Sequence, residues 1–233
     1  MTGAARRVGR AIALGLADAG CDLILHYGSA AAEAEATAEE AQGHGARVVT
    51  VGADLGDPAA GARLLEAAGD LAPVRVLVNS AAIFPDDTLE SVTSAAFDHT
   101  VAVNLRAPVL LTQAFAAALP AGREGAVVNV TDWRTQRPYR EHFSYTVTKG
   151  GLDTFTRAAA EALAPHIRVN AVALGAILPP PGRGSDYLKA LAREIPAGKP
   201  GGTDPVVAAV IFLLRNPFIT GEILRVDGGA HLR

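Results

Sequence analysis

The sequence predicts an α/β fold: a doubly wound parallel sheet of Rossmann type, in one domain spanning 1–233. Three observations predict it. Short β-branched runs alternate with longer alanine-rich amphipathic stretches, the pattern of strands joined by crossover helices. Several of the short runs are apolar throughout, as parallel strands covered on both faces must be. A chain of 233 residues suits one α/β unit with a single large interior.

The elements follow in order. Thr2-Gly3 leads through Gly9 into an apolar helix from Ala11 to Ala19. Strands are expected at Asp22–Tyr27, Arg47–Val51, Val74–Val78, Ala126–Val130, Arg168–Ala173 and Ile223–Val226. Helices are expected at Ala30–Gly43, Ala59–Ala68, Phe97–Ala118, Ser144–Ala164 and Asp204–Leu214, with Pro205 suited to a first helical turn. The stretch 175–202 is rich in Pro and Gly, with one short helical piece at Ser185–Glu194. A long irregular segment after a strand's carboxyl end predicts a substrate lid. A doubly wound fold opens with a strand that delivers the chain to the glycine loop, yet Met1 stands directly before Thr2-Gly3. The central first strand is therefore expected to be missing or truncated, with backbone groups orphaned at about 1–3 kcal/mol each. The working protein is accordingly expected to begin about 5–10 residues upstream, one strand's length.

Composition narrows the function. Hydrophobic residues at 49% and charged residues at 19% exclude a disordered chain. A net charge of −3 gives no basic excess for general nucleic-acid binding. The single cysteine, Cys21, excludes an intrachain disulfide framework and a thiolate zinc cluster, and it fits a reducing, cytoplasmic setting. No metal site is expected. No uninterrupted apolar run is long enough to cross a bilayer, so no membrane partner is expected. Arg6-Arg7 and the apolar stretch after it imitate an export signal, but Asp18 breaks the pattern.

Gly3 and Gly9 bracket a tight loop that feeds a helix N-terminus, where free N–H groups and the helix dipole attract pyrophosphate. The same spacing also suits an ordinary turn, so the next clue is the end of the strand Asp22–Tyr27. Sites selective for NAD place an acid there to hold the ribose hydroxyls. Here the strand runs His26-Tyr27-Gly28-Ser29, with no acid before Glu33. With Arg6 and Arg7 nearby, this favours NADPH. His26 reads as a satisfied sheet residue. Further along, Tyr145 and Lys149 stand at i and i+4 on one helix face. An ammonium beside a phenol lowers its pKa and equips the pair for general acid catalysis of hydride transfer.

These residues stand in company. Thr2-Gly3 with Gly9, Asp54, Asn79-Ser80-Ala81-Ala82, Asn104, Tyr145 with Lys149, Thr220-Gly221 and Asp227-Gly228-Gly229 occur in that order. In this respect the chain resembles the short-chain dehydrogenase/reductases over nearly its full length. The resemblance implies that Asp54, with Leu55 beside it, contacts adenine and that Asn79 and Ala81 lie against the cofactor. It implies that Asn104 holds a water in a proton relay and that Lys149 also binds the nicotinamide ribose. Gly3, Arg6, Arg7, Gly9, Tyr27 and Ser29 complete the cofactor candidates. The resemblance also implies a homotetramer or homodimer formed through the two long helices.

Departures from the family pattern are more specific. Thirteen residues before the tyrosine, where most members carry serine, this chain has Asp132. Arg7 replaces a common glycine. Both replacements are similar to the pteridine reductase and dihydromonapterin reductase branch, as are Leu25-His26-Tyr27 and the tail from Val226 to Arg233. That likeness implies that Phe84 stacks on a pterin and that Arg7 contacts substrate or phosphates. Trp133 either lines the pocket or packs. The implied activity is NADPH-dependent reduction of a pterin C=N bond, with Asp132, Tyr145, Lys149 and Asn104 as catalytic residues and Arg7, Phe84, Asp132 and Tyr145 as substrate contacts. The competing readings are a carbonyl reductase, such as a 3-oxoacyl-thioester reductase, and a non-catalytic nucleotide sensor.

Overall fold

The computed structural model describes residues 1–71, 73–180, 182 and 184–233. Within the lid region, Pro181 and Arg183 lie outside the described residues. The chain order is α1 (Arg7–Asp18), β1 (Leu23–Tyr27), α2 (Ala31–Gly43), β2 (Val48–Gly52), α3 (Ala60–Glu66), β3 (Val76–Asn79), α4 (Ser94–Val101), α5 (Ala107–Ala118), β4 (Gly125–Asp132), α6 (Phe143–Leu163), β5 (Ile167–Leu174), α7 (Ser185–Ala192), α8 (Asp204–Arg215) and β6 (Ile223–Val226).

All the strand pairs are parallel. β3, β4, β5 and β6 pair in that order, and β1 pairs with β2. β1 and β3 do not pair with each other, as the sequence predicts. Met1 and Thr2 lie between them. Met1 N donates to Ile24 O at 2.8 Å, and Met1 O accepts from His26 N at 3.0 Å. Thr2 N donates to Val78 O at 3.0 Å on the other side. Two residues thus satisfy the head of the slot, next to a cavity of about 30 Å³ lined by Val76, Leu77, Leu64 and Leu111.

Each face of the sheet has its own core. Ile12 and Leu16 of α1, Ala38 of α2 and Val206 and Val210 of α8 pack with Val128, Val130 and Val172. On the other face, Leu64 of α3, Leu111 and Phe115 of α5 and Ala160 of α6 pack with Val127 and Val169. Successive β4 residues therefore serve opposite cores, which explains why β4 and β5 read as apolar throughout. Several boundaries differ from expectation. α1 starts at Arg7 rather than Ala11, because Arg6 is still extended (φ −143°) and the glycine loop turns directly into the helix. The expected single helix Phe97–Ala118 starts at Ser94, where Thr93 Oγ1 accepts from Ala96 N at 3.2 Å. It then passes through a π-helical turn at Ala102–Arg106. Pro108 has no N–H to give the carbonyl four residues back, and a π turn accommodates that gap.

The combined run Ser94–Ala118 is long and apolar enough to cross a membrane by length and composition. Its residues Val103, Ala107, Leu111 and Phe115 instead form core beneath the sheet. The lid leaves the sheet at Gly175, where an added Cβ would lie 2.5 Å from Asp227 Cα. This contact is backbone on backbone, so a side chain can be admitted only if β5 and the segment after β6 separate. Gly175→Ala is expected to cost about 1–3 kcal/mol and to lower Tm by roughly 2–10 °C in calorimetry. An unchanged Tm would show that the lid root is not confined as described.

Candidate active site

Steric exclusion builds the loop before α1. Gly3 takes φ +63°, and a Cβ there would meet Ala81 Cα at 2.7 Å. A Cβ on Gly9 would sit 1.9 Å from Gly3 O. Thr2 Oγ1 accepts from Ser80 N and Ala81 N at 3.1 and 3.2 Å, which fastens the loop to the end of β3. His26 fastens it to the other strands. Gly3 N donates to His26 Nδ1 at 3.2 Å, and His26 Nε2 lies 2.9 Å from Ala53 O. These partners suit the neutral ring with its proton on Nε2. Burial holds the imidazole pKa below its ordinary value.

The loop opens on a cleft of about 790 Å³, within the usual size of ligand sites. Gly3, Arg6, Arg7 and Gly9 line it, as do Tyr27 and Ser29 from the end of β1 and Asp54 and Leu55 after β2. Ala81, Phe84, Asp132, Tyr145 and Lys149 line it too. Asn79, expected against the cofactor, is instead buried at 2% exposure, and its Nδ2 donates to Asn129 Oδ1 at 2.9 Å. Its amide links β3 to β4, and Ser80, Ala81 and Ala82 face the cleft in its place. Arg7 adopts φ +57°, a strained value for a residue with a Cβ. Its Nη2 donates to Pro179 O in the lid at 2.8 Å, so it spans from loop to lid.

These residues fit a dinucleotide. The start of α1 contributes Val8 and Gly9 to the cleft, where a helix N-terminus suits pyrophosphate. No carboxylate stands at the end of β1. Glu33, the first acid beyond it, is drawn to Arg6, with Nη1 and Oε1 3.6 Å apart.

The reacting groups come from the end of β4 and the start of α6. Tyr145 Oη donates to Asp132 Oδ2 at 3.2 Å, and Arg134 N donates to Asp132 Oδ1 at 2.8 Å. Burial raises the Asp132 pKa, although Arg134, Tyr145 and Lys149 pull it back. Lys149 is 2% exposed and its Nζ donates to Val130 O at 2.7 Å. Burial lowers its pKa to about 8, against the charges of Asp132 and Asp153. The sequence expects the ammonium to lower the Tyr145 pKa, but the structure holds it well above the usual value. Burial is the main cause and the Asp132 carboxylate the second. Lys149 Nζ stands 5.6 Å from the phenol ring centroid, while Asp132 touches the hydroxyl.

Asn104, in the π turn, is fully buried. Its Oδ1 accepts from Ile83 N at 2.8 Å and its Nδ2 donates to Ile83 O at 2.9 Å, so its amide clamps the strand-end loop. Phe84 is 47% exposed and is not a core residue. It stacks on His142 with centroids 3.7 Å apart and meets the Tyr145 ring edge-on at 4.6 Å. Trp133 is not among the residues lining the cleft, and its ring carries the Arg134 guanidinium at 4.4 Å. Sequence reasoning missed His99 and Thr131, which line the cleft, because neither belongs to a motif. It also read His26 as a sheet residue only. The signal was there in a polar ring directly before the strand's last residue.

A family model described as Enoyl-(Acyl carrier protein) reductase matches residues 3–231. The chain belongs to the short-chain dehydrogenase/reductase family. The L-xylulose reductase of Bos taurus is 36% identical over 237 residues, covering 98% of this chain and 94% of that protein. Among solved structures, FolM alternative dihydrofolate reductase 1 from Brucella canis, complexed with NADP, matches with a TM-score of 0.92 and 35% identity over 100% of this chain and 93% of that one. A blue fluorescent protein from a metagenomic library, complexed with NADPH, matches at 0.90 and 32% over 98% of this chain and 95% of that one. The short-chain reductase described here is therefore an oxidoreductase of the nicotinamide-dependent kind.

The His26 contacts carry a pH consequence. Its pKa is depressed in the fold, so the unfolded chain takes up the proton first. Stability should then fall as the pH drops below about 6.5, the ordinary imidazole value. Melting curves from pH 7.5 to 5 should show a shallower acid decline for His26→Gln than for the parent, from a lower starting Tm. Equal slopes would place the acid sensitivity elsewhere.

Proposed function

We propose that this reductase uses NADPH to reduce the C=N bond of a pterin of dihydropterin, dihydromonapterin or dihydrofolate type. The observation that carries the reading is the half-buried Asp132 carboxyl group bonded to the Tyr145 hydroxyl, in a cleft walled by the partly exposed ring of Phe84. A carboxylate accepts hydrogen bonds only, which suits a heterocycle rich in N–H donors. The flat ring of Phe84 suits a stacked heterocycle. The similarity to FolM, whose name states dihydrofolate reduction, supports the reading. The two neighbours complexed with NADP and NADPH support the choice of cofactor, as does the missing acid at the end of β1.

When bound, the cofactor supplies the hydride to the substrate carbon. Tyr145 Oη gives its proton to the substrate nitrogen, and the proton that restores the phenol comes from solvent by way of Asp132, 3.2 Å away. Lys149 adds a positive charge behind the phenol. Asn104 holds the loop that carries Phe84 through Ile83.

Carbonyl reduction is the second reading, favoured by the L-xylulose reductase relatives. With its pKa raised, Asp132 retains a proton to higher pH than an ordinary carboxyl, and a protonated carboxyl can hydrogen-bond a carbonyl where a serine otherwise would. The proposal also includes a cytoplasmic homotetramer or homodimer. The single cysteine supports the compartment, and the exposed Val147 on α6 supports a helix-mediated contact.

NADPH oxidation on adding dihydrobiopterin or dihydrofolate is the expected result, with Asp132→Ser reducing it at least tenfold and Tyr145→Phe by about 10²–10⁴. Turnover of ketones but of no pterin, with Asp132→Ser neutral or faster, would decide for the carbonyl reading. The value of kcat/KM with NADPH varied reports groups in the free enzyme. It should decline above about pH 8, where Lys149 loses its proton. A flat profile to pH 9.5 would remove Lys149 from that role.

A further inference from the structure

The helix that carries Tyr145 and Lys149 lacks a cap of its own. Its N-cap residue, His142, is left-handed (φ 54°), and its side chain makes no capping bond. The orphan donors at a helix start need partners, and here the partners come from a residue far away in sequence. Phe143 N donates to Asp87 O at 3.1 Å. Ser144 N donates to Asp87 Oδ1 at 3.1 Å, and Ser144 Oγ donates to Asp87 Oδ2 in a short contact. Asp87 is 7% exposed and lies 57 positions before Ser144.

Asp87 belongs to the loop after β3 that also carries Phe84. The same stretch makes two further contacts to the start of α6. Pro85 O lies 2.7 Å from His142 Nδ1, and Phe84 stacks on the His142 ring. Residues 84–87 and 142–144 are therefore joined step by step, and Tyr145 is the next residue. A capping carboxylate also interacts favourably with the helix dipole. A local cap on residue 142 would steady the helix equally well but would not add the Asp87 bonds to those that already tie the Phe84 loop to His142. The imported cap makes the two walls of the cleft one body.

We infer that Asp87 is the positioning residue for the proton donor: by capping α6 from the Phe84 loop, it sets Tyr145 against Asp132 and holds the Phe84 ring at the edge of Tyr145. The inference rests on Tyr145 being the proton donor of a reductase and holds for either substrate class. A small displacement of a reacting group costs rate steeply, about 10²-fold for 1 Å. The glycine loop, fastened by Thr2 and His26, does not depend on Asp87.

The test uses the full chain with two substrates, dihydrobiopterin and butane-2,3-dione. Asp87→Ala should lower kcat on both by about 10–100-fold and raise KM for the pterin alone, because the dione does not use the Phe84 wall. The dissociation constant for NADPH, from fluorescence titration, should stay unchanged. Asp87→Asn keeps an oxygen acceptor for Ser144 N and should recover most of the rate. In a Tyr145→Phe background, Asp87→Ala should have little further effect on single-turnover NADPH oxidation, because residues acting through one group are non-additive. Should Asp87→Ala fail to fold, Ser144→Ala, which removes the hydroxyl bonded to Asp87, carries the same comparison and is expected to lower kcat with NADPH affinity intact. A fall in Tm with kcat unchanged would overturn the inference and leave a plain structural cap. So would the full rate loss persisting without Tyr145. If the parent reduces the dione but no pterin, the pterin reading fails, and the positioning of Tyr145 is judged on the dione.

Discussion

The ammonium of Lys149 lies in the protein interior, held by the carbonyl of Val130 at 2.7 Å. A buried charge is tolerated only with partners, and the arrangement of the cleft follows from providing them. Val130 belongs to β4, which must run on to Asp132 to bring a carboxylate near the same ammonium. Asp153 sits one turn beyond Lys149 on α6 and adds a second negative charge, itself anchored by Thr135 Oγ1 at 2.6 Å. α6 is thereby locked in register against the end of β4, and Tyr145, one turn before Lys149, has one place to go. The hydroxyl then meets Asp132, and the proton-carrying groups of the site share a single hydrogen-bonded corner.

The fold was legible because parallel strands buried on both faces leave a strong trace. Val127 and Val128 serve opposite cores, so an uninterrupted apolar run was the right signal, and every expected strand is present. Their ends were less legible, because pairing decides them. β4 extends to Asp132 because Leu174 of β5 lies opposite, and nothing local to Asp132 announces a strand. The π turn at Asn104 is likewise set by Pro108 and by packing against α6, beyond the reach of helical periodicity. Between β1 and β3 the structure places Met1 and Thr2. That placement was not legible, since two residues carry no pattern.

The site divides along the same line. Residues whose role depends on backbone shape were readable. Gly3 and Gly9 stand where a Cβ would strike backbone, and the Tyr145–Lys149 spacing places both on one face. Residues whose role depends on a distant partner were not. Asn79 turns to Asn129 across the sheet, and Asp87 reaches α6 from 57 positions away. The direction of the Tyr145 pKa was misjudged for a related reason. Spacing along a helix reports the lysine, whereas burial and the touching carboxylate, both tertiary, raise the value.

The exchange of a serine for Asp132 changes what the corner can recognise. A hydroxyl both donates and accepts, so it serves a carbonyl directly. An ionised carboxylate only accepts and would repel a carbonyl oxygen. Burial raises the Asp132 pKa, while the Tyr145 hydroxyl and the Arg134 N–H favour its charged form. Its protonation is coupled to that of the phenol it touches. On the proposed pterin reading, the substrate's N–H donors favour the carboxylate, and the Tyr145 hydroxyl turns from Asp132 to the nitrogen being reduced. On the carbonyl reading, the substrate brings no donor and is held by the protonated form of Asp132. On the proposed pterin reading, the corner accepts a ring with donors beside the reacting bond, and the partly exposed ring of Phe84 packs against it.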